Sequence, residues 1–233
     1  MPESEAFLKT LLVDADDTLW ENNIYFETVT ERYFSLMEDL GFSSETVRIS
    51  LNEVERKNIR AHGYGTANFV NALKETLSRL AGPSIADNYL RWIDDAATII
   101  LDHPVELISG VAECLEILSQ RHRTILFTKG NVREQERKIE ASGLSRFFSA
   151  IEIAREKDRQ SFLELLYRHQ LVKERTWMIG NSPKSDINPA IGVGMNAVYI
   201  PHPRTWDLET EAFEFPEKVV ILRSFSDLIS AFD

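Results

Sequence analysis

Thr10-Leu-Leu-Val-Asp14-Ala-Asp16-Asp17-Thr18-Leu19 decides the fold. A short apolar run between polar residues reads as a strand buried on both faces, the kind found in parallel sheets. Three acids cannot continue such a strand, so Asp14, Asp16 and Asp17 emerge at its carboxyl end. Open parallel sheets place their ligand crevices just there. Carboxylates this close repel one another unless a divalent cation neutralises some of them or one keeps its proton. Asp and Thr are also common turn and cap residues, so this stretch alone is equally compatible with a structural turn.

Outward from the run, the pattern changes period. Val29, Tyr33, Leu36, Met37 and Leu40 follow helical spacing and stop at Gly41, after which Ser43-Ser44-Glu45 offers a fresh cap. Three more helices are predicted, near Glu45 to Arg60, Thr66 to Leu80 and Ile85 to Leu101. Beyond them a helix from Gly110 to Gln120 precedes the strand Thr124 to Phe127 and the helix Val132 to Ala141, closed by Gly143. The rhythm continues with strand Ala150 to Ile153, helix Ser161 to His169, strand Thr176 to Ile179, a short helix Pro189 to Val193, strands Ala197 to Ile200 and Val219 to Leu222, and a last helix. Alternation of this kind implies an α/β fold with a right-handed, mostly parallel sheet and helices on both faces. The expected organisation is a core from residues 1–20 and 104–233, interrupted by a helical cap over 21–103. A cap inserted after the first strand overhangs its carboxyl end, as expected of a lid that excludes water.

Composition narrows the partners. Hydrophobic residues at 43% and charged residues at 27% are ordinary globular usage, which excludes disorder, collagen and coiled coils. The net charge of −11 argues against nucleic acid and anionic membranes, both of which need a basic face. No apolar stretch approaches the roughly 20 residues of a membrane span, and Met1-Pro-Glu-Ser-Glu5 has no export-signal pattern. A single cysteine, Cys114, in the apolar pattern Val111, Cys114, Leu115, Leu118, reads as a buried structural thiol and suits a cytoplasmic location.

Four segments in order then carry a family resemblance over essentially the whole chain: Asp14-Ala-Asp16-Asp17-Thr18-Leu; Leu126-Phe-Thr128-Lys129-Gly130-Asn; Glu156-Lys157-Asp158; and Gly180-Asn181-Ser182-Pro-Lys-Ser-Asp186. Together they resemble the haloacid dehalogenase superfamily, in its phosphatase-type members with a helical cap after the first motif. The resemblance implies a Rossmann-like three-layer core and a Mg²⁺-dependent phosphatase of a small soluble phosphomonoester.

It also implies roles. Asp14 is the nucleophile that forms an aspartyl phosphate, dividing one hard displacement into two easier ones. Asp16 is the acid and base, and Thr18 supports the turn through backbone or Asp16, while Asp17 stays outside the catalytic set, facing outward or bonding backbone. Thr128 and Gly130 present a hydroxyl and backbone N–H groups to phosphate, a placement that also suits a helix cap. Lys129 stands where relatives often carry Asn and either reaches substrate or sits at the rim. Lys157 balances the nucleophile and holds the phosphoryl group, as the family's Lys-x-Asp pattern suggests. Asp14, the carbonyl of Asp16 and Asp186 are the expected Mg²⁺ ligands. Asn181 replaces a second acid and holds the metal directly or through water. In the cap, Arg60, His62, Tyr64 and Asn68 flank two glycines and are candidate substrate contacts, with a plain helix connection as the alternative. His103 and His202 are expected in loops or at the surface. A phosphomutase, a haloacid dehalogenase and a catalytically weak phosphoryl-ligand binding protein are the competing readings. The expected partner is a small phosphorylated metabolite, for a monomer or homodimer.

Overall fold

The computed structural model describes residues 9–82 and 87–233, so the Met1–Glu5 segment and the expected helix start at Ile85 lie outside the described residues. By contacts the chain divides into two units, residues 1–21 with 105–233, and residues 22–104.

The first unit is built on the opening run. β1 (Thr10–Val13) lies at the centre of a sheet with β2 (Arg123–Lys129), β3 (Ala150–Ala154), β4 (Thr176–Gly180), β5 (Asn196–Tyr199) and β6 (Val219–Ile221). The order is β3-β2-β1-β4-β5-β6. Every pairing is parallel, more uniformly so than the sequence predicts, with Leu12 opposite Ile125 on one side and Met178 on the other. β6 stops at Ile221, one residue short of the expected strand, and is the exposed edge.

Alternation along β1 assigns the two faces. Leu11 and Val13 join Leu126, Ile179 and Val198 in a core covered by Val111, Cys114, Leu115 and Leu118 of α5 (Val111–Arg121), Ile139 of α6 (Val132–Ser142) and Leu228 of α9 (Leu228–Ala231). Leu12 points the other way, among Ile125, Phe127 and Met178, under Phe162, Leu165 and Leu166 of α7 (Arg159–Arg168) and Ala190 of α8 (Asn188–Gly192). Three layers result. Burial pushes the Cys114 thiol up to about 12, and it donates to the Phe225 carbonyl at 3.3 Å, as a structural thiol should.

The second unit is all-helical among the described residues: α1 (Asn23–Asp39), α2 (Ser44–His62), α3 (Thr66–Ala81) and α4 (Asp87–Leu101). Ser43 caps α2 by accepting from the Thr46 N–H at 3.2 Å. Val29, Tyr33, Met37, Leu51, Leu73, Leu77 and Ile93 fill its core. The Tyr33 hydroxyl donates to the Leu73 carbonyl at 2.9 Å.

Candidate active site

Both neighbours of β1 lie at the point where strand order reverses, which puts the carboxyl ends of β1, β2 and β4 around one crevice. Asp14 leaves β1 there, its main-chain N–H still held by the Ile179 carbonyl at 2.9 Å. Its side chain is buried, and each oxygen has a partner: Lys157 at Oδ1 and the Thr18 hydroxyl at Oδ2, 3.0 Å away. The Thr18 hydroxyl also lies 3.3 Å from Asn181 Oδ1. Thr18 thus holds Asp14 rather than Asp16 or backbone, because a turn returning at Thr18 N–H to Ala15 O (3.2 Å) folds its hydroxyl over the strand end.

Asp17 makes that turn possible in a left-handed conformation, φ +60°, tolerated by Asp better than by most residues. It is buried rather than outward-facing. His202 lies beside it, Nδ1 3.9 Å from Asp17 Oδ1 and Nε2 3.3 Å from Glu21 Oε2, while the Arg204 N–H donates to Nδ1 at 3.3 Å. These three side chains offer ligand atoms within 4.8 Å of one another. Nδ1 accepts from the Arg204 N–H, which leaves Nε2 facing the Glu21 carboxylate. This group is separate from Asp14 and Asp186.

Lys157 sits between β3 and α7, with only 3% exposure. Its ammonium contacts Asp14, Asp186 Oδ1 at 2.5 Å and the Phe127 carbonyl at 3.1 Å, which uses its three donors. Burial works against this charge, but the two carboxylates outweigh it and hold the amine above its usual range. Asp186 is fully buried, and burial with the Asp14 charge pushes it up to about 7, against the pull of Lys157 and the Ser182 N–H. One ammonium thus serves two buried carboxylates, leaving an excess negative charge.

Gly180 is what admits Asp186: a Cβ there would lie 2.2 Å from Asp186 Oδ2. Ser182 caps the turn Pro183–Ile187, its Oγ accepting from the Ser185 N–H at 2.9 Å, while Asp186 Oδ2 accepts from the Ser182 N–H at 2.9 Å. Asn181 is oriented by Thr18 on its oxygen and by the Thr205 hydroxyl, 3.3 Å from its nitrogen. Its amide oxygen therefore faces the Asp14 side. Two buried carboxylates with uncompensated charge and an amide oxygen turned toward them form an oxygen-donor set that fits Mg²⁺.

Thr128 is buried at the end of β2, its hydroxyl 3.5 Å from the Lys129 carbonyl, at the limit of a hydrogen bond. Asn131, not Thr128, caps α6, accepting from the Arg133 and Glu134 N–H groups at 3.1 and 3.2 Å. That leaves the Thr128 hydroxyl free of cap duty. Lys129 turns into a polar network, with Nζ 2.7 Å from Ser185 Oγ, 2.7 Å from Glu209 Oε1 and 3.1 Å from Glu156 Oε1. Glu209 also accepts from the Ser182 hydroxyl at 2.7 Å and Ser185 at 2.5 Å. Burial opposes its ionisation, but Lys129 and the two serine hydroxyls prevail and hold its carboxyl below the usual range.

Asp16 has partners of its own. Trp20 Nε1 donates to Oδ1 at 2.7 Å, Gln135 Nε2 to Oδ2 at 2.8 Å, and Lys138 Nζ to both oxygens at 2.5 and 2.6 Å. Trp20, Gln135, Lys138, Glu209 and Thr205 were not singled out by sequence reasoning. Gln135 and Lys138 belong to the polar pattern of an amphipathic helix, and Glu209 lies in a stretch without periodicity, so nothing local marks them.

In the helical unit, Arg60 and His62 are exposed at the end of α2 and Tyr64 is half-buried. Asn68 donates to the Gly63 carbonyl at 2.7 Å and so fastens the α2–α3 connection. His103 stacks on Tyr25 with ring centres 3.3 Å apart.

The model of haloacid dehalogenase-like hydrolases matches residues 8–194, more than half of the chain. Among solved structures, the chain is similar to a haloacid dehalogenase-like family hydrolase from Xanthomonas campestris, at 29% identity and a TM-score of 0.84, covering 99% of this chain and 93% of that one. It shares its fold with a 2-haloacid dehalogenase from Pseudomonas syringae pv. Tomato (22% identity, TM-score 0.60, 96% and 97% covered). A predicted phosphoglycolate phosphatase from Haemophilus somnus has the same fold (16% identity, TM-score 0.65, 99% and 100% covered). No curated protein matches the chain. With the strand order, the four segments at strand ends and the family match in agreement, the chain belongs to the haloacid dehalogenase-like hydrolases.

Proposed function

We propose that the protein is a phosphatase that hydrolyses a small phosphomonoester through an aspartyl phosphate on Asp14, with Mg²⁺ held by Asp14, Asp186, the main-chain carbonyl of Asp16 and Asn181, directly or through water. The observation that carries this is the second carboxylate, Asp16, two residues beyond a buried Asp14 whose own oxygens are held by Lys157 and Thr18. Displacing halide needs one carboxylate nucleophile. Expelling an alkoxide from phosphorus needs a proton donor as well.

Lys157 and Thr18 keep Asp14 in one rotamer, which is the positioning a nucleophile requires. Asp14 attacks phosphorus as the ester P–O bond breaks; the bond pair goes to the leaving oxygen, which takes a proton from Asp16. A water then attacks the phosphoryl group, returns a proton to Asp16 and frees Asp14 as inorganic phosphate departs. Thr128 and the N–H groups at Lys129 and Gly130 supply donors for the phosphoryl oxygens. Bound Mg²⁺ would neutralise phosphoryl charge and hold that group in line. The partner is a cytoplasmic small phosphorylated metabolite.

The test is a screen of phosphomonoesters with Mg²⁺, phosphoglycolate included because of the Haemophilus neighbour. The wild type is expected to release phosphate, Asp14→Asn to fall below ~10⁻⁴ of that rate, and chelation to abolish it. Phosphate release that persists in Asp14→Asn would sink the mechanism. Asn181, neutral where an acid is common, favours a second reading as a 2-haloacid dehalogenase, which chloride release from 2-chloropropionate would reveal.

A further inference from the structure

The partners of Asp16 form a device that the proposed mechanism does not use. A carboxylate has about four acceptor positions. Here Trp20 and Lys138 take those of Oδ1, and Gln135 and Lys138 those of Oδ2. A leaving oxygen or a water therefore reaches Asp16 only by displacing one donor. The ammonium is bidentate and charged, and charge-assisted hydrogen bonds are roughly twice as strong as neutral ones. The indole or the amide gives way first, and Lys138 stays.

The surroundings are built for this contact. Gln135 and Lys138 are three residues apart on α6, hence on one face of the helix. Both are buried, at 3% and 7% exposure. Burying a lysine on a helix that could carry leucine is costly unless its charge is used. Gly130 opens the way for Gln135: with φ +145°, a Cβ there would meet Gln135 Nε2 at 2.9 Å. The same amide nitrogen donates to the Lys129 carbonyl at 2.9 Å, so Gln135 ties the loop after β2 to Asp16. Among the described residues Gln135 Oε1 has no hydrogen-bond partner, so the two acceptors facing the nitrogen, Lys129 O and Asp16 Oδ2, set which way the amide points.

We propose that Lys138 is a positioning residue of the active site: with Gln135 and Trp20 it clamps the Asp16 carboxylate in the one place from which it serves the leaving oxygen and the attacking water. This rests on the phosphatase reading, and the experiment separates the two. Lys138→Met and Lys138→Arg are compared with wild type by kcat/KM, which reports steps up to departure of the leaving group, on 4-nitrophenyl phosphate and on an alkyl phosphomonoester that the wild type turns over. Nitrophenolate leaves without a proton and an alkoxide does not. Lys138→Met should lose about 10²-fold on the alkyl ester, the scale of a misplaced catalytic group, and less than about 3-fold on the nitrophenyl ester, with Lys138→Arg recovering much of the loss through a bidentate guanidinium. Equal losses on both substrates, or none, in an active enzyme would overturn the clamp alone. Should Lys138→Met fail to fold by circular dichroism, Gln135→Leu carries the same leaving-group comparison. A wild type that hydrolyses no phosphomonoester would overturn the phosphatase reading and the clamp with it.

Discussion

The two units solve burial in opposite ways. The helical unit is filled mainly by apolar side chains; of its buried polar groups the Tyr33 hydroxyl is answered by the Leu73 carbonyl, and Glu55, Asn58, Ser50 and Thr76 are buried singly rather than as a cluster of like charges. The strand-bearing unit buries Asp14, Lys157 and Asp186 side by side at the ends of strands. Ion pairs of this kind are a poor way to gain stability, because desolvation offsets the attraction. Hydrophobic burial has no such penalty. The difference teaches that one unit gathers apolar side chains while the other spends stability on keeping three charged groups together at its strand ends.

Three changes break or sharpen that contrast. Lys157→Met leaves two buried carboxylates facing each other without a cation and is expected to cost about 3–5 kcal/mol, read as a lower urea midpoint; Mg²⁺ should recover part of it, because a cation supplies the missing charge. Loss below about 1 kcal/mol would mean that the three charges are not coupled in solution. In the helical unit, Leu73→Ala removes a fully buried side chain and should cost about 2–5 kcal/mol by cavity formation, with no response to Mg²⁺. A Mg²⁺ response there would erase the contrast. The smallest effect is at Glu209. Its folded pKa lies below the ordinary 4.5, so its contribution is complete above that value and is lost as pH falls through the folded value. Glu209→Gln should flatten that acid-side fall in the urea midpoint, and an unchanged profile would show that Lys129 does not hold the carboxylate.

Much of this was legible in the chain. The period change after Thr18 and its return near residue 110 separate the helical insertion from the strands, because buried strands and amphipathic helices impose different spacings on the same apolar residues. Asp14 stands out because carboxylates interrupt an apolar run, whereas Thr128, Lys157 and Asp186 were picked out by the resemblance of their segments to the family's motifs. Less could be read from positions whose meaning depends on a distant partner. Lys129 sits in a motif that left it either reaching substrate or sitting at the rim, and its ammonium is tied to Glu209, eighty residues on. Thr18 was expected to support backbone or Asp16, and it is the return of the turn that delivers its hydroxyl to Asp14.

The sequence by itself determined the α/β class and the family, since each follows from local periodicity or from short motifs, and it set out the helical insertion and the strand-end residues as expectations. Only the tertiary structure decided who partners whom: that Lys157 bridges Asp14 and Asp186, that Gly180 makes room for Asp186, and that Asp16 is held by Trp20, Gln135 and Lys138. The reason is physical. Periodicity is set by neighbours three or four residues away. A charge in a low-dielectric interior is set by whatever the fold brings within 3 Å, at any separation along the chain.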